Sequence, residues 1–268
     1  MTSYSLDDLV NAVRAGSDYR TLNPQVVRWV AQRELPKNRS LKEAVKAVRS
    51  KLHQVGGAYL PSGLRSVVFL EELQKLSPDW QDEDLRIFCR KTMELHASTR
   101  ERLPIVEEFF NVTLGGLAPL RSVLDLACGL NPLALPWMPL AKDVEYTSCD
   151  VYTDLVQVVN HFLAHVGVNG RAFECNLVEQ TTFPQAQVTL LLKTLPCLEQ
   201  LDKEVGLRLL DAIPGPHILV SFPARSLGGR AKGMPQNYER HFNDLIAGKN
   251  WQMQRFEFAS ELAFLISR

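Results

Sequence analysis

Along the first quarter of the chain, apolar residues recur three and four positions apart, the period of a half-buried helix. Leu6, Leu9, Val10 and Val13 share one such face behind Ser5, which can cap their first turn. Asn23-Pro24 supplies a second start, an N-cap followed by proline at the first helical position. Ser40-Leu41-Lys42-Glu43 is a capping box. After it Leu41, Val45, Val48 and Leu52 form an apolar face while Lys42, Lys46 and Arg49 line another. Gly56-Gly57 and Pro61 break the pattern, and Ser62 opens a further helical stretch through Leu64, Val67, Val68 and Leu73. These signals predict a bundle of small helices over residues 1–76, bounded by the turn-forming Ser77-Pro78-Asp79.

Beyond that turn a helix is expected around Asp84–Leu95. Ser98-Thr99-Arg100-Glu101, a second capping box, opens another toward Phe110. From Arg121 onward the period changes. Short β-like runs at Ser122–Ala127, Val144–Cys149, Ala172–Cys175, Val188–Leu192 and His217–Phe222 alternate with longer segments, the rhythm of a βαβ fold with a parallel sheet. Gln252–Phe258 and Leu262–Ser267 lie too close for a crossover and predict a terminal antiparallel hairpin. The expected class is α/β, a Rossmann-like, doubly wound and mostly parallel sheet over residues 77–268, preceded by the helical bundle.

Composition sharpens this picture in two ways. Of 268 residues, 46% are hydrophobic and 22% charged, which excludes disordered and fibrous classes. No run approaches the roughly 18 apolar residues of a membrane span, and Met1–Ser5 lacks a basic flank before an apolar stretch, so a cytoplasmic protein is expected. Five scattered cysteines (Cys89, Cys128, Cys149, Cys175 and Cys197) suggest neither a disulfide framework nor a zinc site. Thirty basic and thirty acidic residues cancel, yet residues 1–65 hold eleven Lys/Arg against five Asp/Glu. A basic head on an acidic body marks either an electrostatic footprint for a polyanion or a solvated face.

The candidate chemistry sits where strands end. Asp125 closes the first β run into Ala127-Cys128-Gly129, a small-residue turn that lets backbone approach a ligand, and Asp150 closes the second. An acid at that position can accept from ribose hydroxyls or simply cap a helix. The pair suggests an adenosine-containing cofactor. Leu130-Asn131-Pro132 leaves no second or third glycine for a pyrophosphate, which favours S-adenosylmethionine over a dinucleotide. Arg102 follows a capped helix start that can hold a carboxylate or stand as an ordinary surface cap. Lys193 ends another strand, as a functional charge or one reaching solvent. After the fifth strand, Ser221–Met234 combines three glycines with Arg225, Arg230 and Lys232, a composition suited to holding phosphate.

Five stretches, in order, carry a family resemblance: RSKLHQVGGAYL (Arg49–Leu60), LHASTRERL (Leu95–Leu103), VLDLACGLNPLAL (Val123–Leu135), LKTLP (Leu192–Pro196) and VSFPARSLGGRAKGM (Val220–Met234). Together they resemble the aminoglycoside-resistance methyltransferases that modify N7 of guanine 1405 in bacterial 16S ribosomal RNA, across nearly the whole chain. The resemblance implies a class I S-adenosyl-L-methionine-dependent fold, with S-adenosyl-L-homocysteine as product and 16S rRNA within the 30S subunit as partner. A monomer without metal or membrane is expected. Arg102 then takes the methionine carboxylate, Ala127, Cys128 and Gly129 pack on the cofactor, Asp150 takes the ribose, and Tyr59 lies near it. Asn176 stands where the family usually carries an aspartate beside adenine; its oxygen can still accept from the amino group, without the charge-assisted contribution.

Guanine N7 has a lone pair in its neutral form, so no catalytic base is expected and catalysis reduces to placement. Lys193, Phe222, Arg225 and Ser226 are the candidates for holding the extruded base, with Phe222 equally readable as a core aromatic. Lys42, Lys46 and Arg49 are the best rRNA-binding cluster, with Arg20, Arg28, Arg39, Lys51, Arg230 and Lys232 as additions. The rival readings are a methyltransferase acting on another RNA base or a small molecule, a non-catalytic ribosome-binding protein that keeps the cofactor fold, and an oxidoreductase, which would lack its phosphate-binding glycines.

Overall fold

The computed structural model describes residues 4–57, 66–224 and 234–268. The N-terminal helices form where their caps predict. Before α1 (Leu6–Arg14), Ser5 accepts from the Asp8 N–H and Asp8 reciprocates. Before α2 (Pro24–Glu34), Asn23 accepts from Gln25 N–H. Before α3 (Leu41–Leu52), Ser40 accepts from Glu43 N–H. Ala44, Val48 and Leu52 of α3 are buried while Lys42 and Lys46 are exposed. Helix α4 covers Ser66–Leu73, and its expected start at Ser62 falls outside the described residues. Asp82 caps α5 (Glu83–Met93).

One expected helix is divided. The stretch from Ser98 toward Phe110 is a short α6 (Ala97–Arg102), a 3-10 turn at Leu103–Ile105 and α7 (Val106–Leu114). Pro104 has no N–H with which to continue the helical ladder, and the chain leaves helical geometry at Ile105 (φ −120°, ψ 8°). Nor is Ser98 a cap: α6 already starts at Ala97, and the Glu101 carboxylate is drawn to Lys193, at 2.7 Å, by charge.

The seven strands are β1 (Leu120–Leu126), β2 (Leu140–Asp150), β3 (Asn169–Glu174), β4 (Val188–Leu192), β5 (His217–Pro223), β6 (Gln252–Glu257) and β7 (Glu261–Ser267). They lie in the order β3-β2-β1-β4-β5-β7-β6. The first five are parallel; β7 runs antiparallel to β5, and β6 to β7. Alternate residues serve opposite faces. Val188, Leu190, Leu219 and Leu265 belong to an apolar cluster that continues into α1–α3 through Val13, Val27 and Leu52. Leu124, Leu191, Ile218, Val220 and Phe264 face the other side, under α10 (Val205–Ala212) and α11 (Met234–Ile246). The remaining helices are α8 (Thr153–His165) and α9 (Leu195–Leu198). No helix is long and apolar enough to cross a membrane among the described residues.

Two tertiary features build the candidate site. The strand order reverses between β1 and β4, so a crevice opens at their carboxyl ends. The helical head is pinned beside it: Asn23 N–H donates to Val151 O, Thr153 N–H to Thr21 O, and Leu22 bridges Tyr152. The structure also corrects one expectation, joining Cys149 and Cys175 in a disulfide. The two are 26 positions apart, but β2 and β3 are adjacent parallel strands and bring their Cα atoms to 5.9 Å.

Candidate functional site

At the crevice the chain leaves β1 through two left-handed residues, Ala127 (φ +53°) and Gly129 (φ +52°). Position 129 requires glycine twice over, because a Cβ there would also sit 2.7 Å from the His96 ring. The freed backbone turns inward. Gly129 N–H donates to one Asp150 oxygen at 2.8 Å, and Val151 and Tyr152 N–H donate to the other. Burial raises the Asp150 carboxyl above its ordinary range, and these three donors work against the rise. Asn176, buried just after β3, accepts from Val178 N–H and donates to Glu179.

These groups border an open cleft at the carboxyl ends of β1 and β4. Ala127, Cys128, Asp150 and Asn176 line it, with Tyr152, Leu177 and Val178 as apolar wall. Leu22, Val26, Leu52, Val55 and Gly56 close it from the head, so the N-terminal segment does reach over the cleft. Tyr59, expected to do so, lies outside the described residues.

A buried polar chain underlies the floor. Tyr146 and Asn131 both donate to Asp125 at 2.8 Å, and Asn131 accepts from Arg102 Nη1 at 2.9 Å. Arg102 is fully buried, and its Nε and Nη2 clasp the Glu261 carboxylate at 2.7–3.2 Å. Burial pushes Asp125 up to about 6, although its two donors and Arg102 hold it down. For Glu261, burial favours the proton but is outweighed by Arg102 and Lys193, which hold it below the usual range. His96, against Gly129, is pushed down to about 4 by burial and then by Arg102, Lys193 and Arg100. It is a neutral ring at neutral pH.

Arg102 therefore lines the cleft from the end of α6 rather than from a capped helix start, and three of the five N–H bonds a guanidinium carries are engaged by Glu261 and Asn131. A guanidinium held this rigidly beside the cleft is suited to a carboxylate. Lys193 also lines the cleft. It is a non-glycine residue at φ +58°, buried, with Nζ 2.7 Å from Glu101 and 3.6 Å from Glu261. It does not simply reach solvent.

Two expectations change. Phe222 is fully buried away from the cleft, stacked on Tyr238 and edge-on to Phe242 and Phe264, because the alternation along β5 points it into the core beneath α11. It is withdrawn from the base pocket. Arg49 is withdrawn from the phosphate-binding cluster, because its Nη2 caps the end of α1 on the Ala12 and Val13 carbonyls at 2.9 and 3.0 Å. Arg28 is exposed but paired with Asp7 at 2.6 Å. Arg20, Arg39, Lys42, Lys46 and Lys51 are exposed. Arg225, Ser226, Arg230 and Lys232 lie outside the described residues. Sequence reasoning missed Glu261, Asn131 and His96 as site residues. A lone carboxylate heading the apolar run Leu262–Ile266 was the available signal for the first.

Comparison with known proteins agrees with this architecture. The family described as "Ribosomal RNA methyltransferase (FmrO)" matches residues 15–265. A protein of Micromonospora rosea named 16S rRNA (guanine(1405)-N(7))-methyltransferase is 37% identical over 98% of this chain and 97% of its own. One of the same name from Serratia marcescens is 32% identical over 98% and 99%. Among solved structures, the 16S rRNA methyltransferase RmtF in complex with S-adenosyl-L-homocysteine superposes with a TM-score of 0.83, at 31% identity and 100% coverage of both chains.

Proposed function

The chain belongs to the FmrO family of ribosomal RNA methyltransferases, and from that premise we propose that it transfers a methyl group from S-adenosyl-L-methionine to N7 of guanine 1405 of 16S rRNA. The substrate is the assembled 30S subunit in the cytoplasm. The product nucleotide carries a positive charge, which weakens docking of a cationic aminoglycoside and gives resistance. One observation of the site supports this reading above the others: Arg102, Asp150 and Asn176 line a single cleft at the switch point of the sheet.

The residues fit the cofactor group by group. Arg102 matches the methionine carboxylate, Asp150 the ribose hydroxyls, and Asn176 the adenine amino group, between the apolar walls of Leu177 and Val178. Asn in place of an acid lowers cofactor affinity without changing the reaction. The cofactor supplies a methyl group on a sulfonium. The protein's task is to bring N7 in line with that carbon, since a neutral guanine needs no proton removed. Extruding the base costs a few kcal/mol, offset by contacts in the pocket; Lys193, Arg225 and Ser226 provide them. Residues 1–76 form the docking unit, with Arg20, Arg28, Arg39, Lys42, Lys46 and Lys51 on phosphates, joined by Arg230 and Lys232.

The test is transfer of labelled methyl groups to purified 30S subunits, naked 16S RNA and 50S subunits, followed by cleavage mapping of N7-methylguanine. Label on 30S alone, mapped to guanine 1405, is the expected result. Label at another base discards the site, and bound cofactor without transfer discards the enzyme.

A further inference from the structure

The Glu261 carboxylate has more to do than end a hairpin. It is fully buried at the first residue of β7, and three groups from three other elements converge on it. Arg102 from α6 grips it with both Nε and Nη2. Lys193, just after β4, holds Nζ 3.6 Å away. Ser221 of β5 donates its hydroxyl to the carboxylate. The same hydroxyl accepts from the Lys193 N–H at 3.1 Å, so Glu261 is tied to the Lys193 backbone as well as to its ammonium.

Two cations placed this close, both inside the protein, repel each other and would move apart or lose their orientation without an anion between them. Glu101 shares Lys193, and among the described residues it forms no ion pair with Arg102. Among the described residues Glu261 is therefore the one acid in contact with both. Its two-point grip fixes the roll of the guanidinium plane beside the cleft. Its contacts with Lys193 and Ser221 hold that lysine in the left-handed conformation, which a non-glycine residue keeps only when its surroundings impose it.

We propose that Glu261 is a positioning residue for methyl transfer, setting the cofactor-anchoring Arg102 and the base-pocket Lys193 in one fixed relation. It touches neither cofactor nor base; it acts through the two cations that do. The inference rests on the function proposed above, and deepens it by linking the donor and acceptor halves of the site through a single carboxylate.

The experiment compares wild type with E261Q, E261D and S221A. It uses calorimetry with S-adenosyl-L-homocysteine, equilibrium binding to 30S subunits, and single-turnover methylation of 30S at saturating cofactor, with thermal unfolding of each preparation. E261Q keeps the shape and removes the charge. Expected are a loss of at least tenfold in cofactor affinity and a further loss of at least tenfold in the single-turnover rate, with 30S binding within twofold of wild type. E261D restores part of both. S221A keeps every charge and slows the single-turnover step several-fold, while cofactor affinity stays within about threefold.

Wild-type affinity and rate in E261Q overturn the proposal. So does a loss fully accounted for by the unfolded fraction, which marks a merely structural residue. Should E261Q not fold, S221A decides: an unchanged rate overturns the proposal. If wild type itself does not methylate 30S, the functional reading fails, and the calorimetric arm still tests whether Glu261 sets Arg102.

Discussion

At the scale of single residues, the turn after β1 makes two opposite demands within three positions. G129A puts a Cβ into a left-handed residue and against the His96 ring, and is expected to cost about 2 kcal/mol and to weaken cofactor binding. A127G relieves an existing left-handed strain while making the unfolded chain freer, so its stability stays within about 1 kcal/mol of wild type. Urea unfolding of the two variants checks the contrast. His96 gives a pH signature. Its folded value of about 4 lies below its ordinary 6.5, so its contribution is fully present above pH 6.5 and is lost as pH falls toward 4. Asp125 runs the other way: raised from 3.8 to about 6, it penalises the folded state increasingly as pH rises through that window. Comparing urea midpoints at pH 7 and pH 5 isolates the histidine, because the fall on acidification shrinks in H96N while the Asp125 contribution stays. Of the residues at the cleft, Gly129, Asp150 and Arg102 were named from the sequence. Glu261 and His96 were not, since their roles arise from neighbours far along the chain.

Among the elements, those with a local cap formed as read: Ser5, Asn23 and Ser40 each bond the N–H their position predicts. The reading failed where a remote partner outbid a local one, as when Lys193 captured the Glu101 carboxylate of the supposed capping box. Asn23 shows how an element end becomes a joint. Its side chain caps α2 and donates to Glu174 at 3.3 Å, and its backbone N–H donates to Val151 beside the cleft. N23A is expected to cost about 1 kcal/mol through the cap. By loosening the head where Leu22 meets Tyr152, it also weakens cofactor binding several-fold. Thermal melting and calorimetry on the same sample read both effects. Unchanged affinity would mean that the head closes the cleft without this joint.

For the molecule as a whole, charge separation and fold act together. The basic head carries Lys42 and Lys46 exposed on α3 while its apolar side continues into the sheet core. The double variant K42E/K46E is therefore expected to weaken 30S binding and to flatten its dependence on log salt by about one unit for each phosphate no longer neutralised. Cofactor affinity stays unchanged. Binding titrations between about 50 and about 200 mM salt check this, and an unaltered slope would move the footprint off α3. By itself the sequence determined the helical head, the alternating α/β body, the terminal hairpin, the glycine turn and the family, because caps, periodicity and turn chemistry act over a few neighbouring residues. Only the tertiary structure decided that Phe222 packs in the core, that Arg49 caps α1, that Cys149 meets Cys175, and that Glu261 joins Arg102 to Lys193. Those outcomes depend on which strands lie side by side and which way each alternate residue faces, and burial then makes every enclosed charge find its partner wherever in the chain that partner lies.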